Sequence, residues 1–212
     1  MEWAKFAAFC ELRGRGLRSD SMTQLRRFID DTAAWSFDSR LTFTKWALEE
    51  RGKFSNFGYL LPQPLMAGLI VPTVREWSER FPEDAQPRLW LGMLRCDDPS
   101  RHLEGALELD PTCELARMTL VDRILGHVDM SQHELPAFYI DDPREDLKAL
   151  DKAQGFADGG ADGAWIDAAK QRITELRALA TEWLAWQPEK RDFAVTNPRK
   201  RVKDQSHQRS KT

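Results

Sequence analysis

Residues 87–111 hold the feature that most limits how this chain can fold. They contain two short amphipathic segments, 87–95 and 101–109, joined by a turn at 96–100. Asp110-Pro111 follows the second segment. Proline ends a helix because it has no N–H to donate and its ring clashes with the preceding turn. The pattern therefore predicts a hairpin of two short helices.

Helical spacing recurs along most of the chain. In the final stretch, 164–186, apolar residues fall three, four or seven positions apart, whereas alternation of apolar and polar residues is scarce throughout. Ser21 and Ser39 are predicted N-caps of two early helices. Pro72 interrupts a later helical stretch, where its missing N–H predicts a kink or a division. Further helices are predicted over residues 64–81, 87–95, 101–109, 113–128, 143–157 and 164–186.

These patterns predict an all-α protein, built as an irregular helical bundle or a short solenoid. A chain of 212 residues is long enough for one well-packed core. We expect a single domain over residues 1–186. Its parts are irregular N-terminal helices over 1–81, the hairpin region over 87–157 and the long C-terminal helix over 164–186.

The last 26 residues, 187–212, differ from the rest in charge. They carry eight Lys and Arg against three Asp and Glu, a net charge of +5 in a chain whose total is −3. After Val202 they contain no apolar residue, and such a segment buries too little surface to offset its ordering entropy. We expect a disordered basic tail. Apart from this tail, the charge pattern does not indicate nucleic-acid binding.

The cysteines and the apolar runs of the chain indicate where in the cell the protein is located. The three cysteines form no CxxC pair, which is typical of reduced thiols. No basic stretch followed by an apolar run opens the chain, so no secretion signal is predicted. The longest apolar run, 65–71, is too short to span a bilayer. We expect a cytoplasmic protein without a membrane partner and without a cofactor.

The best candidate for chemistry is the stretch 127–142. His127, His133 and Asp141 are residue types that bind divalent metals or transfer protons. The two histidines are six positions apart, so on one helix they face different sides, and the order matches no zinc motif such as HExxH. A small metal-dependent enzyme is therefore the alternative hypothesis, and local hydrogen bonding of the histidines is the preferred interpretation.

Residues 131–168 carry nine acids against three Lys and Arg. This excess is suited to a basic partner or to the chain's own basic tail, although acids near helix starts are also favoured by the helix dipole. Aromatic residues in and near this stretch are candidate anchors, because aromatic side chains carry much of the binding energy of interfaces. The predicted partner-binding residues are Trp90, Phe138, Tyr139, Asp141, Asp142 and Glu145.

Leu91-Gly92 followed by Ala106-Leu-Glu-Leu-Asp-Pro111 resembles one tetratricopeptide repeat. The resemblance implies that the small Gly92 lets the second helix pack closely, and that the Asp-Pro end fixes the next turn. The spacing of 14 residues between Gly92 and Ala106 is shorter than in the standard repeat. A degenerate second unit would cover 114–157, with Val121 where a small residue is usual.

The wider run, including Leu61-Pro-Gln-Pro-Leu65 and His133-Glu-Leu-Pro136, is similar to uncharacterised bacterial tetratricopeptide-like proteins. That similarity implies a fold and a bacterial setting. We therefore expect a non-catalytic helical scaffold that binds another protein. A more specific version is an immunity-like protein whose acidic surface neutralises a basic partner.

Overall fold

The computed structural model describes residues 3–53, 61–161 and 163–186. All regular secondary structure in these ranges is helical, which confirms the all-α prediction. The predicted basic tail, 187–212, lies outside the described residues. The helices are α1 (Ala4–Gly14), α2 (Arg18–Thr32), α3 (Phe37–Lys53), α4 (Gln63–Leu65), a π-helical segment (Met66–Ile70), α5 (Val71–Arg80), α6 (Ala85–Met93), α7 (Pro99–Leu109), α8 (Glu114–Ser131), α9 (Pro143–Asp158) and α10 (Ala164–Ala185).

The chain divides into two compact units, Met1–Pro111 and Thr112–Thr212. The division follows the predicted stop at Asp110-Pro111 and falls inside the segment 87–157, which we had treated as one region. The first unit holds α1 to α7, and the second holds α8 to α10. A single domain over residues 1–186 remains a prediction.

Aromatic rings fill the core of the first unit. Phe9, Phe28 and Phe43 are fully buried. The ring centroid of Phe43 lies 5.0 Å from that of Phe28 and 5.1 Å from that of Phe6. Such ring pairs add about 0.5–1.5 kcal/mol each beyond the area that they bury. The many aromatic residues of helices α1 to α3 therefore join them into one core.

Two predicted helix starts are wrong by several residues. Helix α2 begins at Arg18, and Ser21 is buried within it, where its hydroxyl donates to the Arg18 carbonyl at 2.8 Å. Helix α3 begins at Phe37, and its cap is Ser36, whose Oγ accepts from the Ser39 backbone N–H at 3.2 Å. At α3 several capping residue types occur close together, so the sequence alone did not indicate which one the fold uses. At α2 the N-cap position is Leu17, and no side chain caps the helix.

Pro72 changes the winding of its helix without ending it. The segment Met66–Ile70 just before it is π-helical, and the N–H of Val71 donates to the Met66 carbonyl five residues back. Wider winding of this kind moves the preceding carbonyls away from the proline ring and accommodates the missing N–H. The predicted kink or division is thus a local change of helix type.

The hairpin of α6 and α7 depends on close packing at Gly92. Asp84 caps α6 and Asp98 caps α7, each by accepting a backbone N–H at the helix start. A Cβ atom added to Gly92 would lie 2.5 Å from Cγ of the buried Leu103 and 3.0 Å from the Pro99 carbonyl oxygen. The close approach of the two helices that the sequence implied at this glycine is therefore present.

We predict that Gly92→Ala lowers the free energy of unfolding. Overpacking of a buried site costs about 1–3 kcal/mol, and the better helix propensity of alanine offsets up to about 1 kcal/mol of it. Gly126→Ala in α8 is the control, because an added Cβ there meets no atom within 4 Å. Urea unfolding followed by circular dichroism should show a loss for the first variant and a gain for the second. An equal gain in both would contradict the packing described at Gly92.

Helices α8, α9 and α10 form the second unit around Val128, Leu150, Ile173 and Leu176. Near the N-terminal end of α8 the buried Arg117 reaches across to α9, where its Nη1 donates to the Phe156 carbonyl at 3.0 Å. A Cβ added to Gly160 would lie 2.6 Å from Ile166 Cδ1 and 3.0 Å from Arg117 Cδ. The absence of a side chain at Gly160, between α9 and α10, therefore makes room for this arginine.

Candidate functional site

The connection between α8 and α9, residues 132–142, is held by buried polar side chains. The hydroxyl of Tyr139 donates to Asp146 Oδ2 at 2.8 Å and accepts from Gln132 Nε2 at 3.1 Å. The same Gln132 amide donates to the Leu176 carbonyl of α10 at 2.9 Å. All three side chains in this chain of hydrogen bonds are buried. The loop is therefore attached to all three helices of its unit.

A second set of contacts holds the end of the loop. The Ser131 hydroxyl lies 3.0 Å from Asp141 Oδ2, to which it can donate, and the Ile140 N–H donates to the Ser131 carbonyl at 2.9 Å. Asp142 then caps α9 by accepting from the Arg144 N–H. The backbone of the loop is therefore bonded to helices at both ends.

His127 lies beside two carboxylates of this region. Its Nε2 is 3.8 Å from Asp141 Oδ2 and 3.8 Å from Asp146 Oδ1. The imidazole is 61% exposed, whereas the Asp146 side chain is 2% exposed. The histidine thus covers a buried carboxylate from the solvent side, at a distance longer than a hydrogen bond.

Burial raises the pKa of Tyr139, and the Gln132 hydrogen bond acts against that shift. The hydrogen bond to Asp146 and the charges of Asp146 and Asp141 raise the pKa of Tyr139 further. The phenol therefore stays protonated and serves as the donor to Asp146. Its role in this arrangement is to position the loop.

Three apolar side chains in and next to the loop are exposed to solvent. Met130 is 62% exposed, Phe138 52% and Ile140 45%. Glu134, Asp141 and Asp142 are exposed among them. Within the described part of the chain, none of these three acids lies at ion-pair distance from a lysine or an arginine. These six residues are called the loop surface below.

The predicted partner-binding residues do not all lie there. Phe138, Asp141 and Asp142 belong to the loop surface, while Tyr139 is buried beneath it. Glu145 is exposed on α9 and forms an ion pair with Lys148 at 2.8 Å. Trp90 belongs to the first unit, where it packs, partly buried, against the aromatic core.

The alternative metal site is not formed by the residues named for it. His133 is exposed in the loop, and His127 meets Asp141 and Asp146 only at 3.8 Å. Among the residues that the structure describes, no group of three or more His, Cys, Asp or Glu side chains is arranged to hold a metal ion. Ser131, Gln132 and Asp146, whose contacts hold the loop, belong to no sequence motif that would have distinguished them.

The first unit contains a half-open cleft of about 240 Å³ beside the π-helical segment. Arg40 and Glu76 line it and are paired at 2.6 Å, and Glu76 also pairs with Arg80 at 2.6 Å. Ile29, Gly68, Leu69 and Pro72 form its apolar wall. Its polar side chains are mostly used in these internal contacts, so the cleft does not indicate a particular ligand.

No described helix combines the length and the apolar composition needed to cross a membrane. Comparisons with protein-family models, with curated proteins and with solved structures give no match to this chain.

Proposed function

We propose that this protein is a non-catalytic helical scaffold that binds a partner protein through the loop surface. The observation that carries the proposal is the exposure of Phe138, Ile140 and Met130 around a loop that buried hydrogen bonds hold in place. Single exposed apolar residues are common on protein surfaces. Three of them within 11 residues, Met130 at the end of α8 and Phe138 and Ile140 on the loop that follows, are suited to be the apolar centre of an interface.

A fixed loop also lowers the entropic cost of binding. Ordering the backbone of a mobile segment costs about 1–2 kcal/mol per residue, and a backbone that is already held avoids that cost on binding. Here Tyr139 and Gln132 already fix the backbone on which Phe138 and Ile140 are carried. We infer that these two side chains are the anchors of the interface.

The acids of the loop surface indicate the chemistry of the partner. Glu134, Asp141 and Asp142 are exposed in the same stretch as the apolar anchors. Among the described residues no lysine or arginine lies at ion-pair distance from them, and Lys148 interacts with the charge of Asp142 from further away. Complementary charge accelerates association and excludes partners of the same sign. The partner that fits is a basic protein segment with an apolar residue at its centre, as expected for an immunity-like protein that neutralises a basic partner.

The resemblance to a tetratricopeptide repeat supports the same proposal, because such hairpins usually form binding surfaces. The close packing of Gly92 against Leu103 agrees with that resemblance. The three cysteines of the chain are free thiols, as in the bacterial cytoplasm that we propose as its location.

Photo-crosslinking tests this function. Phe138 is replaced by the photoreactive amino acid p-benzoylphenylalanine in the full chain, expressed in the cells from which the gene comes, and Phe81 is replaced in a control. Phe81 is equally exposed, at 51%, and lies in the first unit. We expect a discrete adduct from position 138 alone, mapping to a segment of the partner that is rich in lysine and arginine. No adduct, the same adducts from both positions, or an adduct to an acidic segment would contradict the proposal.

A further inference from the structure

We propose that the basic segment 187–212 binds the loop surface of its own molecule and competes there with the basic partner. This inference rests on the proposed function, since it assigns a second occupant to the same surface. The partner then binds only when it displaces the segment. The protein would thus hold its binding surface partly covered in the absence of the partner.

The described chain ends close to Tyr139, the residue under the loop surface. Helix α10 ends at Ala185, and the ring of Trp186 stacks on that of Trp183 at 5.1 Å between centroids. The Trp183 ring in turn lies 6.2 Å from the ring of Tyr139, which is under the loop surface. The described chain therefore ends at Trp186, which two successive ring contacts connect to Tyr139 under the loop surface.

The segment 187–212 and the loop surface are complementary in charge and in apolar residues. The run Arg199-Lys-Arg-Val-Lys203 places four positive charges around one apolar residue, and Phe193-Ala-Val195 precedes it. The loop surface has the complementary pattern, with Phe138 and Ile140 beside acids that no described lysine or arginine pairs with. The segment thus has the chemistry inferred for the partner, a basic stretch with apolar residues.

The residues between Trp186 and Arg199 are numerous enough to let the basic run reach the loop surface. Trp186 and Arg199 are 13 residues apart, and a flexible chain of that length spans about 20 Å on average. Short flexible connections give an effective concentration on the order of 1 mM. A site that binds the free segment with a Kd of only about 0.1 mM would then be mostly occupied, and the partner would bind about tenfold more weakly.

Zero-length crosslinking of the purified full chain tests the inference. A carbodiimide joins a lysine amine to a carboxylate with which it is in contact, and mass spectrometry of the monomer band locates the amide bonds. At low salt we expect Lys200 and Lys203 to be joined to Glu134, Asp141 and Asp142. These links should be lost at about 0.5 M salt, because salt screens the attraction between exposed charges.

The matched variant is Arg199→Gln with Arg201→Gln, which keeps both lysines and removes two charges. We expect a several-fold lower yield of the links and, once a partner is known, several-fold tighter partner binding. Links spread evenly over exposed acids such as Glu79, or links found in a dimer band alone, would overturn the inference. If position 138 crosslinks to a basic partner but the tail links are absent, this inference fails while the proposed function stands. If the tail links form but position 138 captures no partner, the proposed function fails.

Discussion

Replacing Phe43 by alanine is expected to lower the free energy of unfolding by about 3–5 kcal/mol, the usual cost of truncating a buried phenylalanine. The Phe43 side chain is fully buried. Its ring contacts five others in the first unit, those of Trp3, Phe6, Phe28, Trp35 and Trp46, at centroid distances from 5.0 to 6.4 Å. Alanine would remove all five contacts and leave a cavity that helices α1 to α3 cannot close.

The control is Phe81→Ala, because Phe81 is 51% exposed and its ring lies outside the aromatic core, stacked on that of Phe37 at 6.4 Å between centroids. We expect that change to cost less than about 1 kcal/mol. Urea unfolding of both variants, followed by circular dichroism, gives the comparison. If Phe43→Ala leaves too little folded protein to measure, Phe43→Leu should show a smaller loss in the same direction. Equal losses for the two sites would show that the aromatic cluster does not hold the unit together.

The helical class and the 87–111 hairpin were predictable because they depend on local order. Apolar residues at helical spacing and the stop at Asp110-Pro111 act through contacts within a few residues. The observed helices Ala85–Met93 and Pro99–Leu109 begin about two residues before the predicted ones. The close approach at Gly92 is what the resemblance to a tetratricopeptide repeat implies, because a small glycine in the first helix of that repeat lets the second helix pack closely.

The structure that holds the loop could not be predicted in the same way. Glu145 and Asp146 are adjacent acids in an acidic stretch, and the sequence does not distinguish them. In the fold, Asp146 is 2% exposed, whereas Glu145 is exposed and paired with Lys148. The difference depends on Tyr139 and on the position of α10, which are set by contacts between residues far apart in sequence.

The binding role of the candidate residues stays a prediction, and the structure shows only where they lie. Loop aromatics and acids could be identified by residue type, and Phe138, Asp141 and Asp142 do lie on the loop surface. The sequence did not indicate that Phe138 points to solvent while its neighbour Tyr139 is buried. Tyr139 can be buried because its hydroxyl bonds to Gln132 and Asp146, and the sequence does not show which of two adjacent aromatic residues has such partners.

The second large effect concerns binding. The double variant Phe138→Ser with Ile140→Ser is expected to fold normally, because both side chains are exposed and make no contact on which the core depends. Its affinity for the partner should fall by at least about 30-fold, which corresponds to about 2 kcal/mol for the loss of interface anchors. Leu115→Ser is the control, since Leu115 is 44% exposed on α8 of the same unit and lies outside the loop surface.

Isothermal titration of the full-length protein with the partner segment crosslinked at position 138 tests the central claim most directly. The loop surface is predicted to supply the binding energy, so the double variant should bind at least about 30-fold more weakly than the wild type, while Leu115→Ser binds as the wild type does. Equal affinity of the wild type and the double variant would contradict the claim that this helical protein binds its partner through the loop surface.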